Sequence, residues 1–172
     1  MLEGPGEPVR VLGVDPGLRV TGYGVVEASE NAGSCRVRIL EAGIVNAKTP
    51  KGISERLRKI YQSLSEVIEE FKPDVLVIEK LYAHYEHPAT AILMGHARGV
   101  VCLLGGVYGV PLVSIASTHV KKSVTGQGHA KKIQVQRMIQ HELSLPRLPE
   151  PPDVADALAL ALAYLSTVKK KK

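Results

Sequence analysis

Four acids, Asp15, Glu79, Asp153 and Asp156, are the residues whose types and settings best suit chemistry in this chain. Asp15 closes the apolar run VRVLGV and is followed by Pro16-Gly17, a strong turn signal. A carboxylate so placed is held rigidly at a strand end, on the rim where α/β sheets carry out reactions. Asp-Pro-Gly is also ordinary turn chemistry, because an Asp side chain bonds the backbone that follows it. Asp15 therefore takes its meaning from its company. Glu79 ends a second apolar run, DVLVIEK, in the same way.

Asp153 and Asp156 open the segment DVADALALALAYL three residues apart, on one face of the first turn of a helix. Capping and the helix dipole favour acids at such a place. Asp156, however, already lies inside an Ala/Leu-rich helix that must pack on the sheet. An unpaired charge there is costly, so Asp156 needs a cation nearby. Four carboxylates from two strand ends and one helix start supply an oxygen cage that selects hard ions such as Mg²⁺, with Mn²⁺ as a substitute. Two such ions roughly 4 Å apart would activate water and steady the departing oxygen of a phosphodiester. No His or Cys cluster of zinc spacing competes. His84, His87, His119, His129 and His141 are scattered and are not read as ligands.

The elements that must hold these acids follow from periodicity. Val9–Val14 and Val20–Glu27 read as an antiparallel hairpin. A turn over Asn31–Ser34 leads to a third strand, Cys35–Asn46, with a bulge expected at Gly43. Gly52–Phe71 carries Ile53, Leu57, Ile60, Leu64, Val67, Ile68 and Phe71 at helical spacing, and Pro73 stops it. Strand, helix and strand in this order form a right-handed crossover, which sets Asp74–Lys80 parallel to the first strand and brings Asp15 and Glu79 to neighbouring strand ends. A small-residue helix over Pro88–Val107, a strand over Gly109–Ile115 and a short helix capped by Ser117 or Thr118 and reaching Val124 come next. A Gly-bearing connector, Thr125–His129, reads as flexible and suited to phosphate contact. It lacks the residue order of a nucleotide P-loop. The last helices are Ala130–Leu143, with Ile133, Met138 and Ile139 inward, and Asp153–Val168.

Charge is distributed unevenly. Residues 1–86 hold 11 basic and 13 acidic side chains, whereas 87–141 hold six basic residues (Arg98, Lys121, Lys122, Lys131, Lys132 and Arg137) and no acid. A one-sign block of that length suits a polyanion. At 172 residues the chain is expected to be one domain over 1–168, followed by a disordered basic tail, 169–172. Cys35 and Cys102 are isolated and read as structural thiols in a reduced, cytoplasmic compartment. No secretory leader or membrane segment is expected.

The segments VLGVDPGLRVTGYGVV, VLVIEKLY, GHARGV, HVKKSVTGQGHAKKIQVQ and DVADALALALAYL, in this order and spacing, resemble the RuvC family of Holliday junction resolvases from Val9 to about Tyr164. The resemblance implies an α/β, RNase H-like fold, with a mixed five-stranded sheet in the order 3-2-1-4-5 flanked by helices. It further implies a homodimer that uses Mg²⁺ to nick two opposed strands of a four-way DNA junction symmetrically during recombination and repair. The ends would be 5′-phosphate and 3′-hydroxyl, and a branch-migration helicase complex would be a partner. Carried over position by position, Asp15, Glu79, Asp153 and Asp156 match the family's catalytic, metal-binding acids. Tyr82 matches an aromatic that engages a base near the junction, and Lys121 and Lys132 match basic positions that serve DNA binding and catalysis. Lys122 and Lys131 are neighbouring phosphate contacts, and Arg98 is read as a further DNA contact. Tyr82 in place of a common Phe, His96 where Gln is frequent, and the AHYEHP segment depart from the family's pattern and bear on the preferred cutting sequence.

Two other readings stay in view. A non-catalytic junction-binding scaffold of the same fold would have no need of four acids. A sugar kinase or actin-like ATPase also opens with an acid in a Gly-containing hairpin, but needs a second lobe for which 172 residues leave no room.

Overall fold

The computed structural model describes residues 7–31, 34–81 and 88–169. Three strands, β1 (Val9–Asp15), β2 (Val20–Asn31) and β3 (Ser34–Asn46), form an antiparallel meander, and β4 (Val75–Glu79) and β5 (Leu112–Ile115) extend it in parallel. The sheet order is β3-β2-β1-β4-β5, as expected. The crossover between β1 and β4 places Val14 beside Ile78, so Asp15 and Glu79 are the next residues along two adjacent strands.

Strand alternation sorts the side chains into two cores. Leu12, Val14, Leu76 and Ile78 face α1 (Ile53–Phe71) and α2 (Pro88–Tyr108). Val11, Val75 and Val77 face α3 (Ser117–Thr125), α4 (Lys132–Glu142) and α5 (Pro152–Lys169). By the same parity Asp15 and Glu79 belong to the second face, together with α5.

α5 lies directly on the sheet because β1 and β2 present glycines beneath it. A Cβ added to Gly13 would stand 2.0 Å from the Ala157 carbonyl oxygen, and one added to Gly22 would stand 2.1 Å from that of Asp153. Neither site has room for a side chain. Leu158, Ala159, Leu160 and Ala161 are almost wholly buried along this contact. Each buried leucine contributes about 2 kcal/mol.

Several local expectations are corrected. The irregularity between β2 and β3 falls at Leu40, where Val25 pairs with Glu41 and Val26 with Ile39; Gly43 pairs regularly with Tyr23, whose ring lies across it. β5 is shorter than Gly109–Ile115 because Gly109, at φ 66°, ends α2 and Val110 N–H returns to the Gly105 carbonyl. Ala116, not Ser117 or Thr118, occupies the N-cap of α3. On α4 Ile133 is exposed, and Val135 joins Ile139 in the core. The Thr125–His129 connector is a bonded turn: Gly126 N–H reaches the Lys122 carbonyl, and the Thr125 hydroxyl donates to the Lys121 carbonyl. Cys102 is exposed on α2 rather than structural. α5 extends to Lys169, and the rest of the expected tail lies outside the described residues.

α2 is long and apolar enough to cross a membrane by length and composition alone. Ala97, Val101 and Leu104 pack one face of it into the sheet core, while Ile92, Leu103 and Val107 on another face are exposed.

Candidate active site

Asp15 is half-buried where β1 ends. The turn that follows it is clamped by Thr21, a fully buried residue whose hydroxyl donates to the Gly17 carbonyl at 2.8 Å and accepts from Gly17 N–H at 3.2 Å. Across the ladder Asp15 pairs with Gly22, and Asp153 of α5 rests on that glycine. Two acids from opposite ends of the sequence are thus joined through one residue without a side chain. Asp156, one turn further along α5, keeps the same face.

The electrostatics record the convergence. The Asp15 carboxyl is raised from 3.8 to about 7, first by burial and then by the charges of Asp156, Asp153 and Glu79, while Lys132 pulls it down. Glu79 is also raised, by desolvation and by Asp156, against the lowering influence of a Ser117 hydrogen bond and of Lys121 and Lys132. Asp15 feels the other three acids and Glu79 feels Asp156, so the carboxylates act on one another across the rim. The cation that Asp156 required is Lys132, whose Nζ lies 3.3 Å from Asp156 Oδ2. Asp156 holds the Lys132 ammonium above its usual range.

Lys121 acts on Glu79 from α3 and Lys132 acts on Asp156 from the start of α4, so both lysines reach the site. Lys122 is exposed on α3, and Lys131 is exposed at the N-cap of α4. Tyr82 lies outside the described residues. Arg98 reaches the site's edge from α2: its guanidinium donates to the main-chain carbonyl of Glu79 and, at 2.8 Å, to Ser114 Oγ. Ser117, expected to cap α3, is instead its first residue, beside Glu79, whose carboxyl it lowers. Thr21, Gly22 and Ser117 escaped the reading of the sequence. Only Gly22 left a trace there, in the glycine alternation of TGYG.

The donor set is all carboxylate, gathered at one rim, and Asp15 is destabilised as an anion by its neighbours. That chemistry fits hard divalent cations. Among the described residues no three His, Cys, Asp or Glu side chains are arranged as a closed metal cage.

A meander continued by two parallel strands, with acids on the central strands and on the helix across them, defines a nuclease of the RNase H-like class. The sequence profile described as "Crossover junction endodeoxyribonuclease RuvC" matches residues 11–164, so the chain belongs to the RuvC family. The proteins of that name from Rhodopirellula baltica and Thermomicrobium roseum are 44% and 41% identical to it, over 92% and 91% of this chain and 86% and 92% of theirs. The Thermus thermophilus RuvC structure in complex with a Holliday junction substrate superposes with a TM-score of 0.84 at 31% identity, covering 95% of this chain and 96% of that one. The yeast mitochondrial Holliday junction resolvase Ydc2, at 17% identity and a TM-score of 0.63 over 92% of this chain and 78% of its own, shares the fold. The family is one of metal-dependent endodeoxyribonucleases acting in recombination and repair.

Proposed function

We propose that this chain resolves four-way DNA junctions by paired nicks in opposed strands, with Asp15, Glu79, Asp153 and Asp156 as its catalytic acids. The observation that carries this reading is the convergence of the four carboxylates on one face of the sheet, where burial first and then the charges of the other three raise Asp15 to about 7. The acids would hold two Mg²⁺ ions, or Mn²⁺ in their place, and such ions would supply an activated water and charge stabilisation for the leaving oxygen. Asp15, which feels the charges of the other three acids, would be a ligand of these ions. Lys132 keeps Asp156 oriented and, with Lys121, offers positive charge to the scissile phosphate. Lys122 and Lys131 hold the backbone on either side, and Tyr82 stacks on a base near the branch point. The product ends are a 5′-phosphate and a 3′-hydroxyl.

Two symmetric cuts need two sites, and α2 offers the surface that joins them. Ile92, Leu103 and Val107 are 62%, 55% and 57% exposed along it. Isolated exposed apolar residues are common, but a run along one helix marks an interface. The protein works as a homodimer in the cytoplasm and hands its junction on from a branch-migration helicase complex.

The test is a synthetic four-way junction able to migrate through varied sequence, incubated with and without Mg²⁺, with cuts mapped on all four strands. Paired, metal-dependent nicks that ligase seals are expected. Tight binding with no cut under Mg²⁺ or Mn²⁺ would assign the chain to a scaffold instead.

A further inference from the structure

Arg98 occupies a place that a simple phosphate contact does not require. It projects from the middle of α2, between the buried Ala97 and Val101, toward the carboxyl ends of β4 and β5. One arm of its guanidinium donates to the main-chain carbonyl of Glu79 and the other to Ser114 Oγ. Ser114 is the residue paired with Ile78 across the β4–β5 ladder, and Lys80 N–H closes that ladder on the Ile115 carbonyl. The β1–β4 ladder has already ended at Val14–Ile78. The Glu79 carbonyl therefore lies beyond it, where a main-chain acceptor needs a donor from elsewhere. Arg98 provides one and ties it to the neighbouring strand.

Resting on the reading of Glu79 as a catalytic acid, we propose that Arg98 is a positioning residue: it locks the main chain of Glu79 against β5 and so keeps the Glu79 carboxylate on the face it shares with Asp15 and Asp156. A strand end can twist, and rotation about the Glu79 backbone would carry its side chain off that face. The rigid two-armed guanidinium resists this rotation, whereas a lysine, with a single ammonium on a flexible stem, does not. The same two bonds join the place where the chain leaves β4 to the middle of α2. The α2 surface proposed as the dimer contact is thereby linked to the active site by one side chain.

The experiment compares wild type with Arg98→Lys, Arg98→Ala and Ser114→Ala in three measurements: junction affinity in Ca²⁺ over a range of salt, single-turnover cutting against Mg²⁺ concentration, and Mn²⁺ binding to the DNA-free protein followed by electron paramagnetic resonance. A charge-assisted hydrogen bond is worth enough to predict about a 10-fold fall in cutting rate for Arg98→Lys, with a comparable weakening of Mn²⁺ binding. Ser114→Ala, which spares the bond to Glu79, should show a smaller loss in both. Junction affinity and its salt slope should match wild type in all variants. The inference is overturned if Arg98→Lys cuts and binds Mn²⁺ as wild type does, or if its loss lies in affinity with a salt slope reduced by about one, the mark of a phosphate contact. Should Arg98→Ala unfold, the lysine and Ser114 variants still decide. If wild type leaves junctions uncut in every metal, the reading of the acids fails with it; if wild type cuts and only the Arg98 expectations fail, that reading stands.

Discussion

Asp153 rests on Gly22, with its carbonyl oxygen 2.1 Å from where a Gly22 Cβ would stand. Since Gly22 is the cross-strand partner of Asp15, this contact sets the spacing between the central acid and the acids of α5. Gly22→Ala must displace the first turn of α5. The expected cost in stability is about 1–3 kcal/mol, as for other overpacked cores. Cutting should fall far more than thermal stability does, and parallel melting and single-turnover assays would separate the two.

The metal-free protein should become less stable as pH rises toward neutrality. Unfolded Asp15 titrates near 3.8 and folded Asp15 near 7, so between these values the native state holds a proton that the unfolded chain has lost. The stabilisation is complete below about pH 4 and is lost as pH rises through 7. Glu79, also raised, acts in the same direction. Melting temperatures in EDTA from pH 5 to 8.5 should fall for wild type and much less for Asp15→Asn. That variant should be the more stable at pH 8, by at most on the order of 4 kcal/mol at about 1.4 kcal/mol per pKa unit, and inactive. Adding Mg²⁺ should restore much of the wild-type loss.

Lys132→Ala removes the ion-pair partner of Asp156 and the charge that lowers Asp15. Cutting should fall by about 10-fold or more, as when a charge-stabilising group leaves a site. The acid limb of the pH–rate profile should move to higher pH. Lys132→Arg retains the charge and should recover part of the rate without moving that limb. An unchanged profile in Lys132→Ala would remove Lys132 from the electrostatics of the site.

On α2, Leu103→Glu places a charge on the apolar stripe that includes Ile92 and Val107. A stable dimer of standard size buries about 800 Å² per partner, and a charge at its centre weakens it severely. Sedimentation should show a dimer for wild type and a monomer for the variant at the same concentration, with the variant's melting temperature little changed. A wild-type monomer at working concentrations would contradict the proposed dimer.

The sheet order and the meeting of the four acids at one rim were legible because they rest on strong signals: apolar runs ending in an acid, a helical period between two strands, and paired acids opening an Ala/Leu-rich segment. The need of Asp156 for a cation could also be foreseen, although Lys132 as its partner appears only in the fold. What stayed hidden depends on approach between distant segments. Gly43 carries the composition of a bulge, yet the ladder slips at Leu40, since Gly43 accommodates the ring of Tyr23. Ser117 has the composition of a cap, but Ala116 takes that place and Ser117 falls beside Glu79. Arg98 has the charge of a phosphate contact, and only the meeting of α2 with the ends of β4 and β5 reveals its bond to the Glu79 backbone.

The seat of α5 on the β1–β2 glycines also governs when the protein can begin to cut. Asp15 and Glu79 emerge early in synthesis, but Asp153 and Asp156 arrive only with α5, after every strand has been made. A nascent chain or a partly folded intermediate holds two acids and lacks the helix that completes the group. With the four acids as the proposed catalytic group, nuclease competence would be withheld until α5 docks.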